Sequence, residues 1–228
     1  MKDRQIITTS DGSQTLFIPE LNEHYHSIHG AIQESQIVYI DAGLSPIEKD
    51  TITIFEMGLG TGLNALMSYL WALKNEKQIN YISIEKYPLT ENEYNVLTFE
   101  DCLEIPSKGI LEKIHQAPYE ETLSISDSFR LKKYKADIKD FKFADTIDVC
   151  FYDAFAPDIQ PDLWTAGIFE KIFAAMNPGG IISTYSAKGQ VRRNLQAAGF
   201  IVEKLKGPPG KREILRARKQ VKERTMLC

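Results

Sequence analysis

The stretch Thr51-Ile-Thr-Ile-Phe-Glu-Met-Gly-Leu-Gly-Thr-Gly-Leu-Asn64 constrains this 228-residue chain more than any other. The β-branched residues from Thr51 to Ile54, followed by Phe55, predict a strand with Glu56 at its carboxyl end. Gly58, Gly60 and Gly62 then interrupt the pattern, and Leu63, Leu66, Met67, Leu70 and Trp71 recur at helical spacing. Glycines serve where the backbone takes positive φ or a ligand comes close. The start of the following helix offers free N–H groups and the positive end of a dipole. Strand, glycine turn and helix together suit a nucleotide-like ligand, the alternative being a tight turn that holds none.

The spacing departs from the dinucleotide fingerprint Gly-x-Gly-x-x-Gly, because the third glycine comes one residue early and Leu63 occupies the expected place. An acid followed by Gly-x-Gly-x-Gly resembles the first motif of class I S-adenosylmethionine-dependent methyltransferases. There the turn packs on the methionine part of the donor and no pyrophosphate cradle is needed. A second predicted strand, Tyr81-Ile-Ser-Ile-Glu85, also ends in an acid, 23 residues past Gly62. A carboxylate there suits the ribose hydroxyls of a bound nucleoside, though a solvated strand-end charge would look the same.

Asp11-Gly12 between two short β-prone runs signals a hairpin in the first 30 residues. Residues 30–44 read as a helix with Ile32, Ile37 and Ile40 inward, or as extended chain through Ile37–Ile40. Thr90 with Glu93 has capping-box spacing for a short helix. Leu123–Leu131 reads as one strand, and Ala136–Asp140 follows it. Ile147–Asp153 is nearly continuous in apolar residues, the mark of a strand covered on both faces. A helix over Pro161–Met176 follows, stopped by Asn177-Pro-Gly-Gly180, then a strand over Ile181–Tyr185 and a helix over Gly189–Ala198. Phe200–Val202 and Glu213–Ala217 make a final strand pair. Alternating strands and helices predict an α/β fold, a doubly wound, mostly parallel sheet. Residues 51–228 would form that domain and residues 1–50 a small β-rich extension packed on it. Ligands of such sheets bind at the carboxyl ends of the strands, where Gly58, Glu85, Asp137 and Asp153 fall.

The three cysteines, Cys102, Cys150 and Cys228, are few and scattered, which fits a reducing cytoplasm and no disulfide framework. No apolar run approaches the roughly 20 residues needed to span a bilayer, and no signal segment follows Met1. His24, His26 and His29 cluster, but no cysteine or carboxylate group completes a metal set. They read as loop residues near a substrate entrance or simply as surface. The net charge of −4 hides an asymmetry: from Lys188 onward twelve Lys or Arg face three Glu, a local +9 on a body of −13. A basic end on an acidic body suggests an anionic partner such as nucleic acid, the alternative being a solvated strand and tail.

Several longer runs carry a more specific resemblance. Ile82-Ser-Ile-Glu-Lys-Tyr-Pro-Leu-Thr90, Asp153-Ala-Phe-Ala-Pro157, Pro161-Asp-Leu-Trp-Thr165, Val191-Arg-Arg-Asn-Leu-Gln-Ala-Ala-Gly-Phe200 and Lys211-Arg-Glu-Ile-Leu215 join the glycine motif. Together the chain resembles the methyltransferase half of the bifunctional tRNA 5-methylaminomethyl-2-thiouridine biosynthesis family, and its stand-alone relatives, from about residue 50 onward. It departs from the commoner pattern at Leu59, Ala154 and Pro208-Pro209.

The resemblance implies methyl transfer from S-adenosylmethionine to the exocyclic amine of 5-aminomethyl-(2-thio)uridine at the tRNA wobble position. It implies a class I methyltransferase fold whose last strand is antiparallel. The donor site would comprise Glu56, Gly58, Gly60, Gly62, Asn64, Glu85, Lys86, Asp137 and Asp153. Asp153 and Phe155 would form the methyl-transfer centre: Asp153 to aim the amine lone pair and steady the cationic product, Phe155 to offer a π face. Trp164 reads as core. Tyr185, Lys188, Arg192, Arg193, Lys211 and Arg212 would contact the tRNA anticodon loop. The flavin oxidase half of the bifunctional relatives finds no counterpart, so neither FAD nor a metal is expected, nor an obligate protein partner. Two other readings compete: a methyltransferase for another amine, and a non-catalytic nucleotide- or RNA-binding module. The basic C-terminal part argues against a cationic small substrate, and the presence of Gly58 and Asp153 argues against the module.

Overall fold

The computed structural model describes residues 4–105 and 108–221. Pro106, Cys228 and the charges Lys222, Glu223 and Arg224, which contribute to the +9 count, lie outside the described residues. An eight-stranded sheet forms the centre, in the order β10-β11-β9-β8-β4-β5-β7-β6. Its strands are β4 (Thr51–Met57), β5 (Gln78–Ile84), β6 (Thr122–Ser126), β7 (Phe129–Tyr134), β8 (Ile147–Tyr152), β9 (Met176–Thr184), β10 (Ile201–Lys206) and β11 (Glu213–Arg218). Strands β7, β5, β4, β8 and β9 run parallel, whereas β11 is antiparallel to β9 and to β10. A smaller antiparallel sheet holds β1 (Gln5–Thr8), β2 (Gln14–Ile18) and β3 (Glu23–His24), with the predicted Asp11-Gly12 hairpin between β1 and β2.

Helices cover both faces. On one lie α1 (Ala31–Ser35), α2 (Leu63–Asn75), α3 (Glu91–Tyr94), α4 (Phe99–Cys102) and α5 (Ile110–Gln116); on the other lie α6 (Ala166–Ala175) and α7 (Gly189–Ala197). Two apolar clusters result, one per face, and β8 is buried at every position, as its unbroken apolar run predicts. The chain leaves β4 toward β5 and β7, then returns to the other side of β4 as β8. The strand order therefore reverses between β4 and β8, which is where a crevice opens in a doubly wound sheet.

Four local expectations are revised. Leu123–Leu131 is not one strand: Asp127 and Ser128 turn the chain, with the Ser128 N–H donating to Ser126 Oγ at 3.3 Å, so β6 and β7 form a hairpin. The helix over Pro161–Met176 breaks at Thr165, which is extended (φ −81°, ψ 157°), leaving a 3₁₀ turn over Pro161–Trp164 before α6. Asn177–Gly180 does not merely stop that helix but belongs to β9, where the register against β8 shifts between Ile147 and Val149. Residues 30–44 are helical, but α1 widens into a π-helix over Gln36–Leu44, closed by the Ser45 N–H to the Ile40 carbonyl at 2.8 Å. The wider turn buries Val38, Tyr39 and Ile40 together, while Ile32 and Ile37 are only partly covered.

Candidate active site

A cavity of about 670 Å³ opens over the β4–β8 switch point. Met57 pairs with Tyr152 across the two strands, so Gly58 and Asp153 leave the sheet side by side. The Asp153 N–H donates to the Met57 carbonyl at 3.2 Å, and a Cβ on Gly58 (φ +90°) would stand 3.1 Å from the Asp153 carbonyl oxygen. Only glycine permits both that conformation and that approach.

The carboxylate of Asp153 is fixed from two sides. The Tyr39 hydroxyl donates to Oδ1 at 2.5 Å and the Asn64 amide to Oδ2 at 2.9 Å. Burial nevertheless raises its pKa to about 7; Glu34 adds to the rise, while the Tyr39 and Asn64 hydrogen bonds and the Lys211 charge oppose it. Phe155 lines the same cavity and meets Tyr25 edge-on with centroids 5.2 Å apart. The Trp164 indole, buried as the sequence predicts, donates to the Phe155 carbonyl at 2.8 Å and so holds that loop.

On the β5 side, Glu85 ties the glycine turn down. Its Oε2 accepts the Gly60 N–H at 3.0 Å and its Oε1 the Tyr87 N–H at 2.8 Å. A carboxylate has about four acceptor sites, so capacity remains for hydroxyl donors. Lys86 pairs with Asp137 at 2.9 Å, and both line the cavity. Burial pushes the Asp137 carboxyl up, but the Lys139 N–H and the Lys86 ammonium outweigh it and hold its pKa below the usual value. Thr61, in the glycine turn, is held twice: His26 Nε2 lies 2.6 Å from its hydroxyl, and His115 Nε2 donates to its carbonyl at 3.0 Å.

The placement of the predicted residues is uneven. Gly58, Gly60, Asn64, Glu85, Lys86, Asp137, Asp153, Phe155, Tyr185 and Lys211 share the cavity wall. Gly62 faces away from it, because its Cβ direction runs into Leu111 and His115 of α5. Glu56 is fully buried behind the wall, where Ser83 donates to Oε2 at 3.2 Å. Burial and the Asp153 charge raise its pKa well above the usual carboxylate value. Within the predicted RNA-contacting set, Tyr185 and Lys211 point inward and do not belong to an outer face. The Lys188 ammonium is engaged by Asp158, whereas Arg192, Arg193 and Arg212 are exposed. His24, His26 and His29 line the cavity, His26 being buried; among the described residues no group of three His, Cys, Asp or Glu is placed to hold a metal.

Sequence reasoning missed Tyr39 and Glu34. Tyr39 sits within the apolar run Ile37–Ile40 and reads there as core, since nothing local indicates that a π-turn aims its hydroxyl at Asp153. Glu34 is buried, accepts the Ser27 N–H at 2.7 Å and pairs with Lys211. Its only sequence signal is a lone acid next to a largely apolar segment.

Comparison with known proteins bears on the family and the fold. In sequence the chain is 31% identical over 224 residues to the tRNA 5-methylaminomethyl-2-thiouridine biosynthesis bifunctional protein MnmC of Aeromonas hydrophila, covering 88% of this chain and 34% of that protein. It is 30% identical over 213 residues to the MnmC of a Marinomonas species, covering 86% and 31%. The chain thus spans about a third of the length of the curated relatives it matches. In structure it resembles MNMC2 from Aquifex aeolicus, with a TM-score of 0.75 and 27% identity over 96% of this chain and 71% of that one. Spermidine synthase from Thermotoga maritima shares the fold at a TM-score of 0.57 and 13% identity, covering 97% and 71%. The profile of a family described as S-adenosyl-L-methionine-dependent methyltransferase matches residues 104–220, and the chain belongs to that family.

Proposed function

We propose that this methyltransferase moves a methyl group from S-adenosylmethionine to the primary amine of 5-aminomethyl-(2-thio)uridine at the wobble position of tRNA, in the cytoplasm. The observation that carries the reading is the Asp153 carboxylate, clamped by Tyr39 and Asn64 at the switch point and opening onto the cavity. The names of the MnmC relatives supply the substrate class.

The donor fits the residues present. Glu85 has acceptor capacity for ribose hydroxyls, Asp137 is held by Lys86 at the adenine end, and Gly58 and Gly60 bring backbone to the cavity wall. The donor supplies a methyl already activated by positive sulfur, so the chain must present a neutral amine in line with it. Asp153 accepts a hydrogen bond from that amine and fixes its lone pair. Tyr39 and Asn64 keep the carboxylate from swinging. As positive charge moves onto nitrogen and the sulfur–methyl bond breaks to leave a neutral thioether, the anion of Asp153 and the π system of Phe155 on the cavity wall stabilise it. Arg192, Arg193 and Arg212 take phosphates of the anticodon loop, whose wobble base is splayed into the cavity.

Incubation with labelled donor and undermodified tRNA, followed by digestion, tests this. Label should appear in a 5-methylaminomethyl nucleoside. Label on protein or free amines, with none in tRNA, would overturn the reading.

A further inference from the structure

Lys211 is a cation of the basic C-terminal part that the fold turns toward the cavity. It sits on the loop between β10 and β11, which is pressed against the N-terminal segment. A Cβ at Gly210 (φ +83°) would overlap the His29 ring, so only glycine permits this closure. The closure carries the Lys211 ammonium to Glu34 and places it 4.2 Å from the Tyr185 ring centroid. Glu34 is itself held by the Ser27 N–H, and Tyr185 by its hydroxyl bond to the Ala154 carbonyl at 2.8 Å. Lys211 therefore stands in one defined position on the cavity wall, close enough for its charge to act on Asp153.

Two features set what this ammonium recognises. Its charge is compensated by a buried carboxylate, so the pair is neutral overall and poorly suited to a backbone phosphate. An ammonium has three donors; Glu34 takes one and the aromatic face shields another side. What remains suits a neutral, dipolar acceptor such as a carbonyl oxygen. Resting on the amine-methylating role proposed above, we infer that Lys211, positioned by Glu34, is a specificity-determining residue that donates to the ring carbonyl next to the amine-bearing carbon of the acceptor. Asp153 takes the amine and Lys211 takes the carbonyl, so the two contacts fix the acceptor ring in its plane. Lys211 is then a base-reading contact inside the site and not part of the outer phosphate-binding face.

Anticodon stem-loops carrying 5-aminomethyluridine, or its 4-deoxy analogue without the neighbouring carbonyl, provide the test. Loss of a hydrogen bond from a charged donor should slow the parent's single-turnover rate roughly 10- to 100-fold on the analogue. Lys211→Met should be slow by the same factor on the normal stem-loop and show no further loss on the analogue. Its donor affinity, measured by calorimetry, and the salt slope of its RNA binding should match the parent's. Glu34→Gln should lose part of the rate, and Glu34→Gln combined with Lys211→Met should be no slower than Lys211→Met alone. If Lys211→Met keeps the parent's discrimination between the two stem-loops, or if its salt slope flattens by roughly 0.7, the base-reading role is wrong. Multiplying losses in the double variant would remove Glu34 as its positioning partner. A parent that methylates both stem-loops equally defeats the role of Lys211 alone. A parent that binds donor but methylates neither defeats the amine-methylating reading, and this inference with it.

Discussion

The Tyr39 hydroxyl donates to Asp153 Oδ1 at 2.5 Å, across 114 positions of sequence. This bond stabilises the anion and opposes the burial that, on balance, leaves the carboxyl pKa at about 7. It therefore sets how much of Asp153 is ionised near neutral pH.

The single-turnover methylation rate should rise as pH climbs through about 7 and then level off, as Asp153 and the acceptor amine lose protons. Tyr39→Phe removes a group that lowers the Asp153 pKa and one of the two that hold its carboxylate, so its midpoint should move to higher pH and its plateau should fall, though less than in Asp153→Asn. Asp153→Asn should lower the plateau by on the order of 100-fold, the scale for losing one preorganised electrostatic partner. A parental plateau in Asp153→Asn would exclude a transition-state role.

Glu85→Ala should weaken donor binding far more than RNA binding. Glu85 both anchors Gly60 and retains acceptor sites for ribose hydroxyls, and a charged hydrogen bond is worth roughly 1.5–3 kcal/mol. Titration calorimetry with donor on the folded variant checks this; unchanged affinity would exclude the role.

Charge reversal at Arg192 and Arg193, both exposed on α7, should flatten the salt dependence of tRNA binding. Each phosphate that the protein ceases to neutralise reduces the logarithmic slope by roughly 0.7. The remaining cations contribute less than the +9 count suggests, because Lys188 and Lys211 are paired with Asp158 and Glu34, carboxylates that lie outside that count. Identical slopes for variant and parent would place the RNA elsewhere.

His26 and His115 have pKa values lowered to about 4, chiefly by burial. Between pH 4 and the unfolded value of about 6.5 the unfolded chain binds more protons at both, so their contribution is present above 6.5 and lost as pH falls toward 4. Asp153 acts with the opposite sign, since its raised pKa makes the folded state the better proton binder between the ordinary carboxylate range and 7. His115→Gln should therefore lose less thermal stability than the parent between pH 7 and 4.5. The difference is on the order of 1–3 kcal/mol. Parallel melting curves would show that this histidine binds protons equally in the folded and unfolded chain.

The sequence by itself determined the parallel core of the sheet and the strand ends over which the cavity opens. Local patterning suffices where a strand ends in an acid and glycines follow, because backbone conformation and helix start are short-range properties; Gly58, Gly60, Glu85 and Asp153 were legible for that reason. The β6–β7 hairpin was less so, since a two-residue turn through Asp127 and Ser128 lies inside a run that alternates as one strand would. Only the tertiary structure decided which side chains face one another. Gly62 turns toward α5, Glu56 lies behind the wall, and Lys211 folds inward onto Glu34. Tyr39 reaches Asp153 only because a π-turn rotates it toward β8. Direction across a cavity depends on how distant elements pack, and residue spacing along the chain carries no record of it.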